Sequence, residues 1–111
     1  MLEIKTSDLD EGTCLVELSG EIDAYSSDQL REHIDQTIKN GKTKAVVDLG
    51  NLSYIDSTGL GLLVGWTKEL RNNKGDVHLL NPGRRVENVI KLTNLKRFFK
   101  IFTDRDKAMK F

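Results

Sequence analysis

The stretch that most constrains this chain runs from Ala45 to Leu63. An aliphatic run, Ala45-Val46-Val47-Asp48-Leu49, is followed after a few residues by Ile55-Asp56-Ser57-Thr58-Gly59-Leu60-Gly61-Leu62-Leu63. The continuous apolar centre of the first segment suits a strand buried on both faces. In the second, a hydroxyl residue follows an acid where a turn becomes a helix, which is a helix-start signal. A doubly buried strand that feeds directly into a helix is the repeating unit of an α/β sheet. Ser57 is then expected at a helix N-terminus at one end of the sheet, where side chains are exposed and rigidly aimed.

The flanking sequence extends this unit. Leu2 to Ser7 reads as a strand with Leu2, Ile4 and Thr6 on one side. Asp10-Glu11-Gly12 is a turn signal, and Thr13 to Ser19 is a second strand able to pair with the first as a hairpin before Gly20 ends it. Ser26 or Ser27 is placed to cap a helix running to about Asn40, with Leu30, Ile34 and Ile38 as its apolar stripe. Asn40-Gly41 is its stop. Lys44 to Leu49 is the buried strand. The helix from Ser57 or Thr58 reaches about Asn72, with Leu60, Leu63, Val64 and Leu70 inward and Asn73-Lys74-Gly75 closing it. Asp76 to Leu80 returns as a strand, and Asn81-Pro82-Gly83 turns. Val86, Val89, Ile90 and Thr93 keep helical spacing, Phe98 to Thr103 is a short last strand, and Asp104 to Phe111 a brief terminal helix. The sum is a single α/β domain over residues 1–111. Its mixed sheet of 4–5 strands with an N-terminal hairpin is packed by 3–4 helices and joined by right-handed crossovers.

Composition excludes several function classes. Seventeen basic and seventeen acidic residues cancel over 111 residues, whereas a general nucleic-acid binder needs a net basic face. Arg84-Arg85 and Lys96-Arg97 are small basic pairs that read as solvated surface. No apolar run approaches the roughly 18–20 residues that span a bilayer. The one cysteine, Cys14, shares a strand side with Val16 and Leu18 and reads as core. With no signal peptide at the start, the expected compartment is the cytoplasm, with no membrane and no direct nucleic-acid partner.

Enzyme chemistry finds few of its parts. Ser57 lacks the G-x-S-x-G elbow, because residue 55 is Ile. The only histidines are His33, on a polar helix, and His78, in a strand. No metal-ligand spacing and no phosphate loop occur, so no cofactor or metal is expected. Asp48 ends a central strand as a receiver-domain phosphoacceptor would, but no acidic pair follows the first strand to hold magnesium. Gly59, Gly61 and Gly65 each cost a helix about 0.8–1.0 kcal/mol relative to alanine. Tight packing of helix on sheet, or close approach of a partner, would account for them. Leu62 and Trp66, four apart and largely off the inner stripe, are either an exposed docking pair or covered by a neighbouring helix. Physical reading leaves Ser57 as a helix cap, a modification site, or both.

Three groups of residues match a known family: Gly20-Glu21-Ile22-Asp23, Val47-Asp48-Leu49, and Ile55-Asp56-Ser57-Thr58-Gly59-Leu60. Asn81-Pro82 followed by Val86, Leu92 and Phe98 to Phe102 extends the match over essentially the whole chain. In these features the chain resembles a STAS domain, and most closely a bacterial anti-sigma factor antagonist. The resemblance implies that Ser57 is phosphorylated by a partner that is both anti-sigma factor and serine kinase. The unmodified form would bind that partner and free a sigma factor, the phosphorylated form would let go, and a serine phosphatase would restore binding. Asp23 and Ser26 would form the loop beside the phosphoserine. Asp56, Thr58, Gly59, Gly61, Leu62 and Trp66 complete the expected partner-binding set, and Thr58 is a second, less favoured acceptor. Asn94 stands where the family often has glycine. A STAS scaffold without phosphorylation, in a transporter or signalling assembly, is the alternative.

Overall fold

The computed structural model describes all residues, 1–111. The strands are β1 (Leu2–Asp8), β2 (Thr13–Ile22), β3 (Lys44–Ile55), β4 (Asp76–Leu80) and β5 (Lys100–Phe102). The helices are α1 (Ser27–Lys39), α2 (Ser57–Asn72), α3 (Arg84–Leu92) and α4 (Arg105–Ala108). The five strands form one sheet in the order β1-β2-β3-β4-β5, with β1 antiparallel to β2 and every other pair parallel. The expected hairpin and strand–helix alternation are therefore present.

Alternation along the strands assigns the two faces. Cys14, Val16 and Leu18 of β2, Ala45, Val47 and Leu49 of β3, and Val77 and Leu79 of β4 pack with Leu30 and Ile34 of α1, Leu60, Leu63 and Leu70 of α2, and Val86 and Ile90 of α3. This face holds the main core, and burying each of its valine, leucine and isoleucine side chains stabilises by roughly 1.5–3 kcal/mol. The other face is covered only where α4 lies, over Leu15, Val46 and Leu80. Its remainder displays Glu3, Lys5, Glu17, Asp48 and Asn51 around a polar hollow. Cys14 is fully buried, and burial pushes its thiol up to about 11.

β2 and β3 outrun their expected ends at Ser19 and Leu49. Gly20 and Gly50-Asn51 carry turn signals, yet Gly20 pairs with both Leu2 and Leu52, and β3 takes up one extra residue between Asp48 and Asn51 and another between Leu52 and Tyr54. An extra residue in a ladder lets a strand bend without ending. Gly20 has a φ of 95°, and a Cβ there would fall 1.9 Å from the Met1 carbonyl oxygen. The extension matters because it carries Leu52 and Ile55 into the core and delivers Asp56-Ser57 to the carboxyl end of the sheet. Asn94 adopts a φ of 59° at the end of α3, so it supplies the left-handed conformation that a glycine would.

Candidate functional site at the carboxyl ends of β2 and β3

The loops leaving β2 and β3 are tied together. Ile22 and Ile55 are register partners, and the Asp56 amide donates to the Ile22 carbonyl at 3.0 Å. Asp56 is the N-cap of α2: its backbone is extended (φ −94°, ψ 179°), and its Oδ1 accepts the Gly59 amide at 2.8 Å. This corrects the expectation that Ser57 caps the helix. Asp56 precedes Ser57 and has the carboxylate reach to the third amide beyond it, so Ser57 becomes the first helical residue. Its hydroxyl is exposed and makes no hydrogen bond within the chain. Thr58 is exposed beside it.

The three α2 glycines divide between the two explanations. At Gly59 a Cβ would meet Ile22 Cγ2 at 2.4 Å and Ile55 Cγ1 at 3.1 Å, so its absence lets the first turn press onto the strand ends. Partner approach is therefore not what Gly59 is for; it is buried. Gly61 and Gly65 have nothing within 4 Å of a Cβ position and leave the helix surface bare. They lie along a groove of about 290 Å³ between α1 and α2, lined also by Ile34, Ile38, Leu62 and Trp66. The exposed Leu62–Trp66 pair is corrected by the same geometry. Trp66 is only 2% exposed and packs into the core, while Leu62 is half-buried beside it. The α1–α2 packing covers the indole, whose Nε1 finds no partner.

The adjoining β2–α1 loop is held by Asp23. Its Oδ1 accepts the Tyr25 amide at 2.9 Å, the Ser26 amide at 3.1 Å and the Ser26 hydroxyl at 3.1 Å. Burial pushes the Asp23 carboxyl upward, but these hydrogen bonds outweigh it and hold the group below its ordinary value. Ser26 is 8% exposed; its Oγ lies 3.0 Å from the Glu21 carbonyl and accepts the Asp23 amide at 2.9 Å. It occupies the N-cap position of α1 without making the expected cap bond, and it braces the loop from inside instead of facing a partner. What the loop presents is Tyr25, 97% exposed on a pinned backbone. Sequence reading passed over Tyr25; the signal available was its place two residues after an aspartate, where the side-chain carboxylate captures its amide.

The comparisons with known proteins fit this arrangement. A family model for the STAS domain matches residues 5–108. This chain belongs to the STAS-domain family. It is 37% identical over 81 residues to the anti-sigma-B factor antagonist of Staphylococcus aureus, covering 73% of this chain and 75% of the relative. The antagonist of Staphylococcus epidermidis shows the same identity and coverage. Among solved structures, the anti-sigma factor antagonist SpoIIAA in its unphosphorylated form superposes with a TM-score of 0.84 at 27% identity, over 96% of this chain and 93% of that one. The Bacillus cell fate determinant SpoIIAA in the phosphorylated form gives 0.76 at 25% identity, over 96% of each chain. A sulfate transporter family protein from Wolinella succinogenes shares the fold alone, at 17% identity. No helix of the STAS domain described here is long and apolar enough to cross a membrane.

Proposed function

We propose that this protein is an anti-sigma factor antagonist whose binding to an anti-sigma factor with serine kinase activity is switched by phosphorylation of Ser57. The unmodified form binds that partner and frees a sigma factor; the phosphorylated form dissociates, and a serine phosphatase restores binding. The observation that carries this reading is the free hydroxyl of Ser57. It is exposed on the first turn of α2, it makes no internal hydrogen bond, and the capping task belongs to Asp56. Relatives named as anti-sigma factor antagonists, and a structural relative described in unphosphorylated and phosphorylated forms, support it. The binding surface would combine Tyr25, Ser57, Thr58, Gly61 and Leu62, with Asp23, Ser26, Asp56 and Gly59 holding its two loops in register.

The switch follows from where the charge sits. A phosphoryl group adds about −1.5 to −2 charges, and the α2 N-terminus favours that charge by roughly 0.3–1 kcal/mol. The fold therefore tolerates it. A partner seated over Ser57 does not, because a misplaced interfacial charge costs several kcal/mol. Asp56 and Asp23 beside it add repulsion. About 2.8 kcal/mol already weakens a complex a hundredfold.

The direct test is to incubate the protein with the cognate kinase and ATP and map the phosphosite. Phosphate is expected on Ser57 and absent from Ser57→Ala; a Ser57→Ala protein that is still phosphorylated to the same extent sinks the assignment. Ser57→Asp is expected to lose kinase binding by about a hundredfold while its Tm stays within a few degrees.

A further inference from the structure

At the opposite end of the sheet, the amino termini of β3, β4 and β5 bring a second cluster together. Register sets Lys44 beside Asp76 and His78 beside Lys100. With Lys74, whose φ is 64°, and Phe111, these residues line a cavity of about 320 Å³. Its side-chain charges do not cancel. Asp76 Oδ2 faces the Lys100 ammonium at 3.1 Å, and Oδ1 accepts from Arg71 Nε at 2.9 Å and from the Val77 amide at 2.8 Å. Lys44 and Lys74 form no salt bridge; the Lys44 ammonium lies 6.0 Å from the Phe111 ring centroid, and its charge is felt by Asp10. Among the side chains that line the cavity, three lysines (Lys44, Lys74 and Lys100) stand with one carboxylate, Asp76, which is also engaged by Arg71 from outside the lining.

His78 supplies an independent observation. It is 3% exposed, and its ring lies 4.6 Å from that of Phe102 and 3.8 Å from that of Phe111, centroid to centroid. Nδ1 is 2.8 Å from the Ala108 carbonyl oxygen, an acceptor, so Nδ1 carries a proton. Nε2 has no partner in the chain. Trp66 Nε1 is the one fully enclosed side-chain nitrogen or oxygen without a partner, so Nε2 opens onto the cavity that His78 lines. Burial, assisted by the Lys100 and Arg71 charges, outweighs the Ala108 bond and Asp76 and holds the imidazole below its usual pKa. Nε2 is therefore an acceptor in a cavity that Lys44, Lys74 and Lys100 also line.

Lysines alone attract any anion. Lysines around a buried acceptor select an anion that carries its own O–H. We propose that this cavity binds inorganic phosphate, its anionic oxygens meeting Lys44, Lys74 and Lys100 and its P–OH donating to His78 Nε2. Sulfate has the charge without the proton. A phosphomonoester above its second pKa of about 6 also lacks it. The site is remote from Ser57 and independent of the switch proposed there.

The test is titration of the full chain at about pH 7.5 with inorganic phosphate, sulfate and methyl phosphate, followed by calorimetry and by the imidazole NMR signals of His78. A hydrogen bond to a charged ligand is among the stronger kinds, so phosphate is expected to bind about tenfold more tightly than either competitor, with the His78 signals shifting in step. Joint replacement Lys44→Gln and Lys74→Gln is expected to weaken phosphate by at least about tenfold. Lys96→Gln with Arg97→Gln, in the basic patch beyond α3, is expected to leave it unchanged. Equal affinity for the three anions overturns the proposal, as do unmoved His78 signals or an equal loss in the α3 variant, since each describes unselective attraction. The anion series on the unaltered protein decides the matter even where a variant folds poorly.

Discussion

At the carboxyl ends of β2 and β3 the side chains are Asp23, Asp56, Ser57 and Thr58, while at the amino ends of β3, β4 and β5 they are Lys44, Asp76 and Lys100, with Lys74 beside them. One reason for the difference is directional. In a parallel sheet with helical crossovers, every helix begins at one end and finishes at the other. α1 and α2 thus begin above the acids and end beside lysines and Arg71, the arrangement that helix dipoles favour. The two ends also differ in how their glycines are used. Gly59 lets a helix press onto a strand end, through side-chain contacts with Ile22 and Ile55. Gly75 lets one strand start pass another, through backbone contact: a Cβ there would fall 1.5 Å from the Thr43 carbonyl oxygen. Gly59 thus meets side chains, which can adjust, and Gly75 meets backbone, which cannot.

That contrast can be broken by mutation. Gly75→Ala is expected to be the most damaging change, because backbone must move; an unfolding free energy lowered by more than about 3 kcal/mol, beyond the usual range for overpacking, should appear in urea titration. Gly59→Ala should cost about 1–3 kcal/mol, less than Gly75→Ala in the same assay. The reverse order would mean that the packing against Ile22 and Ile55 is the less adjustable of the two contacts.

Removing the cap sharpens the assignment at the Ser57 end. Asp56→Ala should cost about 0.5–2 kcal/mol, whereas Ser57→Ala should stay within about 0.5 kcal/mol, as for surface changes generally. Equal losses in thermal unfolding would return the capping role to Ser57.

At the lysine end the probe is acid. Burial raises the Asp76 carboxyl, but hydrogen bonds from Lys100, Val77 and Arg71 and the Arg71 charge outweigh it and hold it below its ordinary value. A carboxyl whose folded pKa is depressed stabilises the fold above its unfolded value, and this contribution is lost as pH falls through the folded value. Asp76→Asn is therefore expected to flatten the loss of stability below about pH 4, measured as denaturant midpoint against pH, leaving the part due to Asp23 and Asp10, which are depressed as well. A change of opposite sign is expected at Gly61, where nothing stands within 4 Å. Gly61→Ala should stabilise α2 by up to about 1 kcal/mol, and any loss of partner binding would then report contact along the bare helix surface.

Much of this was legible from the chain. The period-2 pattern of Thr13 to Ser19, the continuous Ala45-Val46-Val47 run, and the spacing of Leu30, Ile34 and Ile38 dictated hairpin, buried strand and amphipathic helix, because each depends on neighbours a few residues away. Ser57 was legible as an exposed hydroxyl at a helix start for the same reason. The strand ends were not legible. Gly20 and Gly50 are turn residues locally, and only pairing across the sheet makes Gly20 a ladder residue and Gly50 part of a bulged stretch of β3. The identity of the cap was also decided late, by whether Asp56 or Ser57 sat on the last extended residue.

Tertiary structure alone decided the rest. Trp66 and Leu62 occupy similar helical positions, yet α1 covers one and leaves the other half open, because burial of a flanking helical position depends on the neighbouring helix. Lys44, Lys74, Asp76, His78, Lys100 and Phe111 are scattered over the last two-thirds of the chain, and no local pattern marks them. The sequence by itself determined which segments are strands and helices and that Ser57 begins one of them, since hydrophobic period and turn chemistry act over short range. The parallel register of β3, β4 and β5 determined that Lys44, Lys100 and a buried histidine meet at one cavity, beside Lys74 from the turn before β4, since only pairing across the sheet brings distant residues to the same end.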